Sequence, residues 1–228
     1  MSYRSKRYRA AVGLVDRSKQ YPLSEAVALT KQTATTKFDG SVELHFRLGI
    51  DPKKSEQAVK GTVVLPHGTG RVLKIVVFAK GASAKAAQAA GADLVGDEAL
   101  IAEVKNTERL EADVVLATPE MMKLLAPIAK ALGTRGLMPN PKNETIVKDP
   151  AAAIAAWRQG KLTFRNDDTG NVHALVGKTS FSDQQLGENV TVLVEAVKRA
   201  RPAEAKGSFL KSITLTTAMG PGIRLALS

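Results

Sequence analysis

The sequence predicts two domains of unlike style. One is a discontinuous α+β domain with an antiparallel sheet, residues 1–66 and 160–228. The other is an inserted three-layer, Rossmann-like α/β domain with a parallel sheet, residues 67–159. Three observations lead there. Near both ends of the chain apolar and polar residues alternate, as in strands with one wet face. In the middle, short continuously apolar runs alternate with helical segments, the pattern of a parallel sheet covered on both faces. The charge divides along the same line: of 33 Lys+Arg and 22 Asp+Glu, residues 67–159 hold 12 and 10 while the ends hold 21 and 12.

Taken in order, residues 3–18 read as a basic helix with Tyr8, Ala11, Val12 and Val15 on one face. A second helix is expected over about 24–33, with Ser24 as N-cap before Glu25. In Ser41–Ile50, Val42, Leu44, Phe46, Leu48 and Ile50 alternate with polar residues and Gly49, a half-wet strand. The turn-rich loop 51–55 leads to a second such strand at Val59–Leu65. Leu73–Ala79 is a strand buried on both faces, followed by a helix at 83–90, a strand at 93–95, a helix at about 97–105 and a strand at 113–117. Thr118-Pro119-Glu120 signals a helix start, with Pro119 at the first helical position, and Asp149-Pro150 signals another for a helix to about Gln159. Lys161–Arg165 and Val172–Gly177 flank turn residues 166–170 and read as a hairpin. Ser182-Asp183-Gln184-Gln185 is a capping box for a helix to about Arg199. Ser208–Thr217 is the last long strand, broken by Gly220-Pro221-Gly222. Gly68, Gly70 and Gly160 near the two crossings are expected to let the domains hinge.

Composition narrows the function. A net charge of +11 and a pI near 9.9 point to a polyanionic partner, nucleic acid or an anionic membrane. No apolar run approaches the length of a bilayer span, and the basic start is not followed by the apolar stretch of a secretory leader. The absence of cysteine excludes disulfides, thiolate metal sites and a cysteine nucleophile. His45, His67 and His173 show no metal-ligand spacing, and His45 falls on a polar strand face, suited to solvent or RNA. Gly68-Thr69-Gly70 follows a strand but lacks the third glycine, since position 73 is Leu, and precedes no helix; it reads as a hinge turn rather than a dinucleotide fingerprint. Asp167-Asp168 reads as a turn, not a paired acid and base. No catalytic constellation remains, so no enzyme, cofactor or metal is expected.

Two segments suit RNA. In Thr36–Glu43, Phe38 sits among polar residues beside Lys37 at the mouth of a strand. It either offers a ring on which a base stacks, with Lys37 meeting a phosphate and Ser41 and Glu43 bonding to base or ribose edges, or tucks back as a lid on the core. In Thr214–Gly222, hydroxyls and glycine-opened backbone at a strand end permit close approach to ribose and phosphate, or form an ordinary polar strand end.

The segments TKFDGSVELHFRLGIDPKKSEQAVKGTVVLPHGTGR, LGTRGLMPNPK, FRNDDTGNVHALVGK and TTAMGPG occur in an order and spacing that resemble the ribosomal protein L-one family, bacterial branch. The resemblance runs from Lys6-Arg7-Tyr8 to Gly222. It implies the same two-domain architecture and a discontinuous domain that binds large-subunit ribosomal RNA of the mobile stalk beside the tRNA exit site. It also implies assistance in the release of deacylated tRNA, and repression of translation by binding the protein's own operon mRNA. The inserted domain would add secondary RNA contacts. The setting implied is the cytoplasmic ribosome, with no membrane and no obligate protein oligomer. The family's RNA-contact motifs fall here on Lys37, Phe38, Ser41 and Glu43, on Arg165, Asn166 and Asp167, and on Thr216, Thr217, Met219 and Gly220. This chain departs from the family at Asp168, where Lys is common, and at Ala218, where a hydroxyl residue is usual. Thr134 and Glu144 stand where Pro and Gly are usual.

Overall fold

The structure, a computed structural model, describes residues 4–107, 109–205 and 207–226. The chain forms two compact units, Met1–Arg71 with Leu162–Ser228, and Val72–Lys161. Recounted over these bounds, the charge again divides as 21 Lys+Arg and 12 Asp+Glu in the first unit against 12 and 10 in the second.

The first unit is built on a four-stranded sheet of order β7-β1-β8-β9, all pairs antiparallel. Its strands are β1 (Ser41–Leu48), β7 (Asn171–Lys178), β8 (Leu210–Thr217) and β9 (Ile223–Leu225). Alternation sends Val42, Leu44, Phe46 and Leu48 inward, where they join Val172, Val176, Ile213 and Leu215 in one core. Two helices close it, α2 (Leu23–Gln32) and α7 (Asp183–Arg199). From α7, Leu186, Val190, Leu193 and Val197, spaced by three and four residues, are fully buried, so the helix contributes one continuous stripe. The Ser182–Gln185 capping box is present in both directions. Asn189 is completely buried among these residues. Its amide donates to the carbonyls of Gly68 (2.9 Å) and Val176 (2.8 Å) and accepts from the His67 N–H (3.2 Å).

The second unit has a parallel sheet of order β4-β3-β5, from β3 (Ile75–Phe78), β4 (Leu94–Gly96) and β5 (Val114–Ala117). Every residue of β3 and β5 is buried, and the two sides feed separate cores. Val76 and Phe78 pack with Ile101 and Val104 of α4 (Glu98–Thr107). Ile75 and Val77 pack with Ala87 of α3 (Gly81–Ala89) and with Ile154 and Trp157 of α6 (Pro150–Arg158). Helix, sheet, helix is the three-layer arrangement expected of such strands.

Several expectations need correction. Helix α1 spans Lys6–Gly13, shorter than 3–18 at both ends; residue 3 lies outside the described residues. Ser5 caps it, and beyond Gly13 Asp16 forms a turn on Ser18. Helix α2 begins at Leu23 with Pro22 at the cap, so Ser24 lies inside the first turn and caps nothing. No long helix follows Thr118-Pro119. Residues Met121–Lys123 and Ala126–Ile128 form single 3-10 turns before α5 (Ala129–Thr134). Pro127 explains the break, since it has no N–H to donate and its ring displaces the carbonyl four residues earlier.

The hairpin over 161–177 does not form as such. Strand β6 (Lys161–Arg165) pairs with β2 (Lys60–Val64) in a separate two-stranded sheet, while β7 joins β1. A single bridge, Asn166 to Val172, links the two halves. The chain is diverted at Asn166, whose N–H donates to the Val59 carbonyl and whose side-chain carbonyl accepts the Val59 N–H. Gly61 on β2 faces the Phe164 ring so closely that a Cβ there would lie 2.6 Å from it.

Candidate nucleic-acid interface

The sheet of the first unit has a second face, opposite the helices, made mostly of polar positions, with Leu175 beside Glu43. It carries Glu43, His45 and Arg47 from β1, His173 from β7, Ser212, Thr214 and Thr216 from β8, and Arg224 from β9. All are half-buried or exposed.

Two loops meet at one end of this sheet because β1 begins where β8 ends. Val42 is paired with Thr217, and the Ala218 N–H donates to the Ser41 carbonyl (3.0 Å). Ahead of β1 stand Lys37 and Phe38, both exposed, and after β8 stands Met219. Phe38 is 60% exposed and Met219 57%. The ring therefore does not serve as a lid on the core, and two large apolar side chains stand in solvent at one strand-end cluster. The Phe38 loop is tied down by Asp39, whose carboxylate accepts from the Thr179 hydroxyl (2.8 Å), the Ser180 N–H (3.0 Å) and the Ser180 hydroxyl (2.8 Å). These bonds, the Ser180 hydroxyl foremost, hold the carboxyl below its usual range. Lys178 donates to the Ser41 hydroxyl (3.0 Å), which brings a cation to the same corner.

The β8 end is shaped by close approach. Thr216 places its hydroxyl against the carbonyls of Thr217, Gly220 and Pro221. Thr217 points into the protein and is buried, and a Cβ on Gly220 would lie 2.3 Å from its Oγ1. Glycine at 220 thus fits a tight turn, closed by the Gly220 N–H on the Thr217 carbonyl (3.0 Å).

Arg165, Asn166 and Asp167 are elsewhere. They precede β7, whose first residue Asn171 pairs with Arg47, while Lys178 at its far end pairs with Ser41. Along β1 the six steps from Ser41 to Arg47, at about 3.4 Å each, separate the two ends by about 20 Å. Arg165 is exposed, but Asn166 is occupied by Val59 and by its bond to the Asp167 carbonyl (2.9 Å). The Asp167 carboxylate closes its own turn, accepting from the N–H groups of Asn171 (2.7 Å) and Thr169 (2.9 Å) and from the Thr169 hydroxyl. The Asn171 bond leads in pushing this carboxyl far below the usual range. The neighbouring Asp168 is exposed.

Between the two ends lies a feature that residue spacing did not reveal. His45 and His173 are direct cross-strand partners, with Nδ1 atoms 2.8 Å apart and rings edge-on. On the outer sides, His45 Nε2 lies 3.7 Å from Glu43 and His173 Nε2 lies 3.3 Å from Asp167. Among the described residues no group of three or more His, Cys, Asp or Glu could hold a metal ion.

A ribosomal-protein family model, that of the ribosomal protein L1p/L10e family, matches residues 30–221. The chain belongs to the ribosomal protein L1p/L10e family. It is 51% identical over 228 residues to a protein of Deinococcus radiodurans described as "Large ribosomal subunit protein uL1", covering 100% of this chain and 97% of that one. A Streptomyces virginiae protein of the same description is 51% identical over 223 residues, covering 97% of this chain and 92% of that one. Both results place the chain where the four quoted segments pointed. The L1p/L10e family is one of ribosomal proteins rather than enzymes. Its match also covers Glu144, which has φ +52°. That left-handed conformation is one that glycine adopts without strain and that a residue with a Cβ adopts at a cost.

The motifs did not single out Asp39, Lys178, Arg71 or His173. Asp39 lies inside the quoted Phe38 segment, and its role depends on Thr179 and Ser180, 140 and 141 residues away. His173 needed the strand register, which no local pattern supplies.

Proposed function

We propose that the protein is a constituent of the large ribosomal subunit that binds ribosomal RNA of the mobile stalk through its discontinuous unit, residues 1–66 and 160–228. The observation that carries this reading is the pair of exposed apolar side chains, Phe38 and Met219, at one end of a polar sheet in the unit that holds the +9 charge surplus. A base stacks on Phe38, Lys37 and Lys178 meet phosphates, and Ser41, Glu43 and Thr216 offer hydrogen bonds to ribose and base edges. Thr217, Met219 and Gly220 present a tight backbone that a ribose can approach closely. Arg165, with Asn166 and Asp167 shaping its turn, contributes a second contact at the far end of the sheet. The inserted unit, 67–159, adds secondary contacts. Release of deacylated tRNA from the exit site, and repression of the protein's own operon through its mRNA, follow from the same RNA-binding surface.

On this reading affinity rests on charge and shape. Filter binding of the whole chain to a stalk rRNA fragment and to a scrambled RNA of equal length, at rising salt, tests this. The expected result is tighter binding to the stalk fragment, with a log–log salt slope of about 0.7–0.9 per neutralised phosphate. Equal affinity for the two RNAs, or a flat salt response, would overturn the reading. The operon mRNA leader added as competitor should displace the stalk fragment.

A further inference from the structure

The two candidate contact clusters lie at opposite ends of one sheet face, and the His45–His173 pair lies between them. We propose that the bound RNA crosses this face and seats a backbone phosphate over the histidine pair, which takes up one proton from solvent as the phosphate binds. The inference rests on the RNA-binding reading above and adds a residue-level contact and a proton to it.

The protonation states follow from the neighbours. Asp167 is held ionised by its own turn, so it accepts the Nε2–H of His173 at 3.3 Å. His173 then presents a bare Nδ1, and His45 donates its Nδ1–H across 2.8 Å. In the neutral pair this leaves the His45 Nε2 lone pair facing the Glu43 carboxylate 3.7 Å away, an unfavourable match. One added proton on that Nε2 turns repulsion into attraction without disturbing the other bonds. Burial, foremost, and the neighbouring His173 hold the His45 pKa below 6.5, while Glu43 opposes them, so His45 is mainly neutral near pH 7 in the free protein. Each ring N–H of the protonated pair already has a partner, so a phosphate over the pair favours the added proton through its charge.

The other elements of the face are compatible. On β1, Arg47 flanks His45; on β8, Thr214 is directly opposite it. On β9, Arg224 is paired with Thr214, so the row across the sheet runs His173, His45, Thr214, Arg224. Toward the Phe38 end, an open depression is lined by the polar Ser41, Glu43, Arg71, His173 and Lys178 together with the apolar Ala174 and Leu175. The carboxylates beside the histidine pair are Glu43 and Asp167, both accounted for above.

The test is RNA affinity of the whole chain at fixed salt between pH 8 and pH 6. One proton taken up on binding gives at most a tenfold gain per pH unit. The expected gain over this range is about three- to thirtyfold for the parent, and it flattens in His45→Gln and in His173→Gln. His67, bonded to Glu188, is unchanged in both variants and cannot account for a difference between them. Imidazole NMR titration of the unmutated protein gives an independent reading, with a pair resonance whose pKa rises in the RNA complex. Tight, specific RNA binding with the same pH slope in parent and variants, and no pKa rise in the complex, would overturn the inference and leave the RNA-binding reading standing. Absence of specific binding at every pH would instead overturn that reading.

Discussion

Phe38 and Asp167 show how differently two residues of one motif set can act. Phe38 is exposed and makes no contribution to the core, so its removal should cost binding and not folding. Phe38→Ala is expected to weaken stalk-RNA binding by about 1–3 kcal/mol, the loss of one stacked base, with an unchanged melting temperature. Isothermal titration and a thermal melt check both halves. Asp167 is a turn residue first. Its carboxyl is held far below the usual range by the Asn171 N–H and by Thr169, so the ionised form stabilises the folded state. That contribution is present above the unfolded carboxyl pKa of about 4 and is lost as the pH falls through the lower folded value. Asp167→Asn should therefore melt lower than the parent at pH 7, and the gap should close in acid. A gap that widened in acid would contradict the assignment.

At the level of elements, the half-wet strands and the capped helix were legible because their signals are local. Strand β1 is read directly from its alternation, and α7 from Ser182 and Gln185. Pairing was not legible. The turn residues 166–170 suggested a hairpin, yet Asn166 turns β6 toward β2 and leaves β7 to β1. The same limit hid Asn189, a polar residue in the apolar stripe of α7, which satisfies three backbone groups around it. Its replacement leaves those groups buried and unpaired. Asn189→Ala is expected to destabilise the protein by about 2–4 kcal/mol, read from urea denaturation, whereas neighbouring exposed positions of α7 should tolerate alanine.

For the whole molecule, charge is the quantity that most clearly separates the two units. The surplus of +9 on one unit and +2 on the other was readable from counts, and it holds over the bounds of the compact units. Asp168, exposed close to Arg165 in the chain, subtracts from that surplus. Asp168→Lys should strengthen RNA binding several-fold at low salt, and the gain should shrink as salt rises because exposed charges are screened. An equal gain at all salt concentrations would point to a specific contact instead.

By itself the sequence determined the element styles, the charge partition and the family, since each depends on residue types at short range or on motif order. The two segments proposed to meet RNA were visible as segments, with Phe38 open to either role. The fold decided that the ring stands in solvent, that Thr217 turns inward, and that Arg165–Asp167 lie about 20 Å from the Phe38 end. It also brought together His45 and His173, 128 residues apart. The physical reason is common to all four. Which face a strand residue occupies follows from alternation, but which residue stands opposite it depends on register. Register is set by the packing of Val42, Leu44 and Phe46 against the helices and by the bonds that end each strand.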